Sequence, residues 1–180
     1  MSGPVLDTPR LRLRPLVAED DAFVLELLNE PGWLAHIGDR GVRSLAEARR
    51  YIADGPTAMI ARHGFGLLAV TLRDSGEPVG ICGLLKRESL PDPDLGYALL
   101  ARHTGRGYAR EAAARLVDYA FQEAGIRRLV AYYMVRNPAS GRLLEKLGFF
   151  QEGLFRERVV KWGVLEDVIA AALLAPRPPR

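Results

Sequence analysis

Cysteine is nearly absent: Cys82 stands alone in 180 residues, so no internal disulfide can form and a reducing compartment fits. Histidine is almost as scarce, and His36, His63 and His103 offer no pair at ligand spacing on one helix face, so no metal site is expected and ordinary surface or loop roles are. Long apolar runs are missing too. The stretch Val168 to Ala175 falls far short of the roughly 20 residues that span a bilayer, and the start lacks a charged segment followed by an apolar core. A soluble, cytoplasmic protein without a membrane partner is expected. Charge of one sign is weak: 25 Lys and Arg against 22 Asp and Glu leave +3, a mild field for a polyanionic ligand. No basic stripe with interleaved aromatics appears, so no nucleic-acid partner is expected. Repeats and internal linkers are also absent. The length suits a single domain over residues 8–175, with Pro176-Arg177-Pro178-Pro179-Arg180 as a disordered tail that can join neither sheet nor helix.

What is present is periodic. Leu11, Leu13 and Leu16 alternate with Arg10, Arg12 and Arg14 as in a half-buried first strand. Acids at 19–21 open a helix over Ala22 to Leu28, which Asn29-Glu30-Pro31-Gly32 ends. A capping box from Ser44 to Glu47 starts a second helix that stops near Asp54-Gly55-Pro56. Between them, residues 33–38 read as an irregular linker. Gly66 to Leu72 and Val79 to Lys86 are strands joined by a turn-rich loop, and Cys82 within the second reads as a small buried hydrophobe. Asp94 to Leu100 and Arg128 to Val135 are further strands, and residues 157–161 and 164–174 form a last hairpin around Trp162-Gly163.

The most informative segment is Arg102-His103-Thr104-Gly105-Arg106-Gly107-Tyr108-Ala109. It precedes a helix whose buried stripe runs Ala109, Ala112, Ala113, Leu116, Val117, Ala120, Phe121, Ala124, with Gly125 as its stop. Glycines let a ligand approach the backbone, and the free amides of a helix start favour an anion. Strand, glycine loop, helix and strand make a βαβ crossover with an anion site at its turn. A P-loop is excluded because no Lys-Ser or Lys-Thr pair follows Gly107. A dinucleotide fingerprint is incomplete: Arg110 replaces its third small residue, and Arg136-Asn137 stands where a ribose-binding acid belongs. By itself the loop also admits a plain reading, two glycines that merely turn the chain.

A second segment follows: Asn137-Pro138-Ala139-Ser140, then Glu145-Lys146-Leu147-Gly148-Phe149, a short helix opened by Asn and Pro and closed by Gly. Together the two segments resemble the GNAT superfamily of N-acetyltransferases, whose R/Q-x-x-G-x-G/A loop is filled here by Arg102, Gly105 and Gly107. The N-x-x-S and E-K-L-G-F patterns with Glu152-Gly153 look most like the branch that acetylates N-terminal amines of ribosomal proteins. The resemblance runs from about Thr8 to Leu174. It implies an α/β (α+β) fold with a mixed sheet of about six to seven strands, antiparallel in its first half, a parallel fourth and fifth strand around the cofactor helix, and about four helices. It also implies acetyl-CoA as cosubstrate and a primary amine as acceptor, a protein N-terminus or a small molecule, in a monomer or homodimer.

Amide formation needs a group to take the amine proton, a group to polarise the thioester carbonyl and a donor for the departing thiolate. The expected base is Asp94, where the family often places an acid before Gly-Tyr, with Glu88 second; a solvated strand-end carboxylate is the bland alternative. Many family members use a Tyr seven residues after the motif Asn as acid. Leu144 occupies that position, which shifts the donor to Ser140 and keeps a non-catalytic acyl-CoA-binding or sensory module as an alternative. The resemblance further implies contacts to the cofactor from Leu99 and Leu100 amides, Asn137 and Ser140, with Arg102, Arg106, Arg110, Tyr108 and Ala109 around the phosphates. Asn137 and Ser140 equally suit helix capping. Trp33, His36 and Tyr97 are the candidate lining of the acceptor pocket, although a Trp is also a common core residue.

Overall fold

A computed structural model of the chain describes residues 3–176. The described residues build one eight-stranded sheet from β1 (Leu6–Asp7), β2 (Leu11–Pro15), β3 (Leu67–Leu72), β4 (Pro78–Leu85), β5 (Asp94–Leu99), β6 (Arg128–Met134), β7 (Phe150–Lys161) and β8 (Val164–Leu174). Their spatial order is β1-β2-β3-β4-β5-β6-β8-β7. Every neighbouring pair is antiparallel except β5 and β6, which meet in parallel at the single register pair Asp94–Val130. That is one or two strands more than expected, because two residues pair ahead of β2 and the last hairpin is long. Trp162 and Gly163 both have positive φ, 53° and 77°, as a two-residue primed turn requires.

Six helices flank the sheet among the described residues: α1 (Asp21–Asn29), α2 (Pro31–His36), α3 (Leu45–Ile52), α4 (Ala58–His63), α5 (Tyr108–Gln122) and α6 (Pro138–Lys146). Of residues 33–38, expected as irregular linker, the first four are helical, within α2 (Pro31–His36). Pro31 at the first position supplies the preset φ, and Trp33 is pinned in the core with its Nε1 donating to the Gly38 carbonyl at 2.9 Å. The chain also does not stop at Asp54-Gly55-Pro56. A wide helical turn over residues 53–57 absorbs the proline, which lacks an N–H, and leads into α4. Ser44 caps α3 as its sequence suggests, accepting from the Glu47 amide at 3.2 Å.

Alternation places two apolar layers on opposite faces of the sheet. One packs α5 and α6 through Ala112, Ala113, Leu116, Ala120 and Leu144 against Leu68, Val70, Leu84 and Leu129. The other packs α1, α2 and α3 through Phe23, Leu27, Leu28, Trp33 and Ile52 against Ala69, Ile81 and Leu100. Each fully buried leucine contributes about 2 kcal/mol, so the layers fix the sheet rigidly on both sides of the β5–β6 junction. Cys82, in β4, is buried at 1% exposure, and burial pushes its thiol up to about 12. Of the expected tail only Pro176 is described, its carbonyl accepting from Arg127 at 3.3 Å; residues 177–180 lie outside the described residues.

Candidate active site

β5 and β6 touch once and then diverge, which leaves a wedge in the middle of the sheet. The Leu100 amide donates to the Val79 carbonyl at 2.9 Å. Because antiparallel pairing alternates, the N–H and C=O of Leu99 and Tyr97 face the other way, into the wedge. Leu99 therefore presents its N–H and C=O to the wedge. Leu100 does not: its amide is already bonded, its side chain is fully buried in the layer of α1 and α3, and it does not line the cavity into which the wedge opens.

The wedge opens into a cavity of 1140 Å³ that runs from the start of α5 to α2 and the β7–β8 hairpin. At its α5 end, Gly105 and Gly107 hold φ of 75° and 81°, conformations that other L residues rarely adopt. Among the described residues, no amide from Gly105 to Arg110 donates to another protein atom. A run of unbonded donors at a helix start, opening on a cavity, fits a diphosphate. Thr104, Gly105, Gly107, Tyr108, Ala109 and Arg110 line this end.

The expected arginines divide. Arg110 faces the cavity, whereas Arg106 is exposed and does not line it. Arg102 is turned to α1, where it pairs with both oxygens of Glu26, so its guanidinium ties the loop to the first helix instead of reaching a phosphate. A residue that sequence reasoning missed holds the loop from below. Arg10 donates from Nη1 to the Arg106 carbonyl at 3.0 Å and from Nε to Glu111 Oε2 at 2.7 Å, and its guanidinium stacks 4.7 Å over the Tyr108 ring. Thr8 and the Arg10 amide both donate to Glu111 Oε1, at 2.6 and 3.0 Å. Burial alone would raise the Glu111 carboxyl, but these donors hold it below the usual range.

Further along the wedge, Tyr97 and Ser140 come together with their hydroxyls 2.6 Å apart. Burial pushes the Tyr97 phenol up to about 12. The Tyr97 hydroxyl also lies 3.3 Å from the Ser140 carbonyl. If tyrosine donates to Ser140, the serine proton is left for the cavity. Asn137 caps α6, its Oδ1 accepting from the Ser140 amide at 3.3 Å, and its NH2 is left over on the cavity side. Leu144 is buried in the core, so no phenol stands there.

On the opposite face Asp94 is 3% exposed and accepts from Arg87 Nε at 2.6 Å through Oδ2. Its Oδ1 has no protein donor among the described residues, and the residue lines the cavity. Burial raises its pKa while Arg87 opposes that rise. Glu88, the second candidate, sits in an exposed turn outside the cavity, because the chain leaves the sheet after Leu85. Trp33 and His36 line the far end, Trp33 also serving the core. His36 has a buried Nδ1 without a partner among the described residues, and burial followed by the nearby Arg136 lowers its pKa. His103 is not at the surface: it is 5% exposed, with Nε2 3.1 Å from Glu77. No cluster of three metal-ligating side chains occurs among the described residues.

Residues 10–150 match the family described as Acetyltransferase (GNAT) domain. The chain belongs to the GNAT family. It is an acetyl-CoA-dependent N-acetyltransferase, and this mixed sheet with one parallel pair is the GNAT fold. It is 26% identical over 175 residues to the uncharacterized N-acetyltransferase YoaA of Bacillus subtilis, covering 97% of this chain and 98% of that one. The [Ribosomal protein uS5]-alanine N-acetyltransferase of Escherichia coli is 31% identical over 105 residues, covering 57% and 54%. The solved structure of spermidine N-acetyltransferase from Vibrio cholerae with CoA and spermine superposes with a TM-score of 0.79 at 22% identity, covering 93% and 96%, a likeness of fold. No helix among the described residues is long and apolar enough to cross a membrane.

Proposed function

We propose that this GNAT enzyme acetylates the α-amine of a peptide or protein N-terminus by direct attack within a ternary complex. The observation that carries the reading is the shape and charge of the acceptor end. A second cavity of 310 Å³ adjoins the first, shares Ile37, Arg40 and Lys161 with it, and leads outward past Trp162. An extended acceptor has use for such a path, and a compact amine has none. Among the described residues the carboxylates lining the main cavity are Glu30 and Asp94, against Arg40, Arg87, Arg110, Arg142, Lys146 and Lys161. A polyamine with several positive charges is repelled by that surface. Similarity to the uS5-alanine enzyme points the same way.

In this reading the diphosphate of acetyl-CoA binds the Gly105–Arg110 amides, and Leu99 and Asn137 receive the pantetheine arm. The acceptor enters on the α2 side of the sheet. An α-amine with a pKa of about 8 arrives mostly as ammonium at neutral pH, and Asp94 Oδ1 takes its proton, directly or through water. The nitrogen then bonds to the thioester carbonyl carbon and the carbon–sulfur bond breaks. A phenol near 12 does not readily give its proton to a thiolate near about 8.5. The Tyr97–Ser140 pair therefore acts as a hydrogen-bond donor to the leaving sulfur, and the nitrogen supplies the proton that leaves with it. The test follows CoA release with Ala- and Ser-starting peptides, spermidine and free amino acids, with mass spectrometry to locate the acetyl group. Peptides acetylated on the α-nitrogen are expected to give the highest kcat/KM. Faster turnover of spermidine overturns the reading.

A further inference from the structure

Where α2 ends, three cations converge, and among the described residues one acid, Glu166, pairs with any of them. Lys161, the last residue of β7, sends Nζ to the Ile37 carbonyl at 2.5 Å. Arg136, just past β6, donates from Nη2 to the Ala35 carbonyl at 2.6 Å and pairs through Nε with Glu166, also at 2.6 Å. Arg40 has no carboxylate partner among the described residues and lines both cavities together with Lys161. The neighbouring Asp39 is already used, bonded to Arg43 at 2.5 Å and to the Gly41 amide at 2.7 Å. Gly38 leaves the space: a Cβ there would stand 2.5 Å from Lys161 Nζ. Burial, then Arg40 and Arg136, holds the Lys161 ammonium below the usual lysine range, and burial and Arg136 do the same to His36. These groups repel one another, and among the described residues no second carboxylate pairs with them.

We infer that the acceptor brings the missing charge: Lys161 and Arg40, supported by Arg136, form a subsite for a carboxylate on the substrate, an acidic side chain within the first few residues behind the reacting amine. The inference rests on the N-terminal reading above and narrows it to acidic N-terminal segments. The geometry supports that order, since Lys161 and Arg40 line both cavities where the main one passes into the outer one, with Arg136 held behind them on the Ala35 carbonyl. A carboxylate seated between a lysine and an arginine gains charge-assisted hydrogen bonds that an amide of the same shape does not.

The experiment pairs peptides that differ only by Asp or Asn at the second, third or fourth residue, measured with wild type, Lys161→Gln and Arg40→Gln. Wild type is expected to favour the best Asp peptide over its Asn partner by about 10-fold in kcat/KM, a preference that falls toward unity in either variant and with rising salt. A thermal-shift comparison of the same peptides on wild type with CoA bound reads the subsite independently of turnover and of any variant that fails to fold. Equal rates and equal shifts for every Asp and Asn pair overturn the subsite while leaving N-terminal acetylation intact. If peptides are not acetylated but amino acids with a side-chain carboxylate are, and lose that advantage in Lys161→Gln, the subsite stands and the peptide reading falls.

Discussion

Arg10 stands outside the cavity, yet its loss should be read at the cofactor. Replacing it with Ala removes a charged donor from the Arg106 carbonyl, the stacking on Tyr108 and the side-chain pair with Glu111. The hydrogen bond is worth about 1 kcal/mol, and the stacking about 0.5–1 kcal/mol at an exposed site. The ion pair adds only a few tenths after discounting, because Arg10 is 48% exposed. The sum is about 2 kcal/mol of order in the Gly105–Gly107 loop. Thr8 and the Arg10 amide still grip Glu111, so part of that order survives, and the binding-competent loop is depopulated by about 10-fold. Initial rates at varied acetyl-CoA should therefore show KM for acetyl-CoA raised about 10-fold with kcat near wild type, since Asp94 and Ser140 are untouched. Titration of CoA by calorimetry should show the same loss, and Arg10→Lys, which keeps charge but not the fork, an intermediate one. Unchanged KM and unchanged CoA affinity in Arg10→Ala would refute the claim that this side chain sets the loop.

Four further substitutions test the rest of the site. Gly107→Val puts a branched side chain at φ 81° in the mouth of the anion site, so CoA affinity should fall by at least 10-fold, and retained affinity would mean the diphosphate binds elsewhere. Ser140→Ala and Tyr97→Phe should each lower kcat by about 10-fold or more with little change in KM for acetyl-CoA; a pure KM effect demotes the pair to positioning. Asp94 has its pKa raised above 3.8 by burial, so the native state holds this proton more tightly than the unfolded chain does. Its contribution to stability is therefore greatest in acid and declines as pH rises through the raised value, a slope that thermal melts of Asp94→Asn should lack. Wild-type kcat/KM should fall toward acid through that same raised value as the base is protonated, and an acid limb that persists in Asp94→Asn removes this residue from the mechanism.

The geometry of the α5 start was legible because its signals are local. The stripe of α5 has helical period, the glycines demand positive φ, and an uncapped helix start leaves its amides open whatever surrounds it. Arg10 carries no such signal: its partners lie about a hundred positions away, and alternation alone makes it one more outward-facing residue of the first strand. Arg102 was misplaced for the opposite reason, since a motif fixes the backbone but not which acid captures a long side chain, and Glu26 captures this one. Leu100 failed by strand parity, because a shift of one residue exchanges a free amide for a bonded one. The acceptor end was least readable of all. Arg40, Arg136 and Lys161 come from three separate segments, and only the curl of the last hairpin over α2 makes them neighbours.

The isolation of Cys82 bears on how every rate above is measured. Sealed inside the fourth strand with its proton held to about 12, it is expected not to react with disulfide reagents while the protein stays folded. A colorimetric sulfhydryl readout of this enzyme thus counts coenzyme molecules and nothing else, and any stoichiometric background marks unfolded chains in the sample.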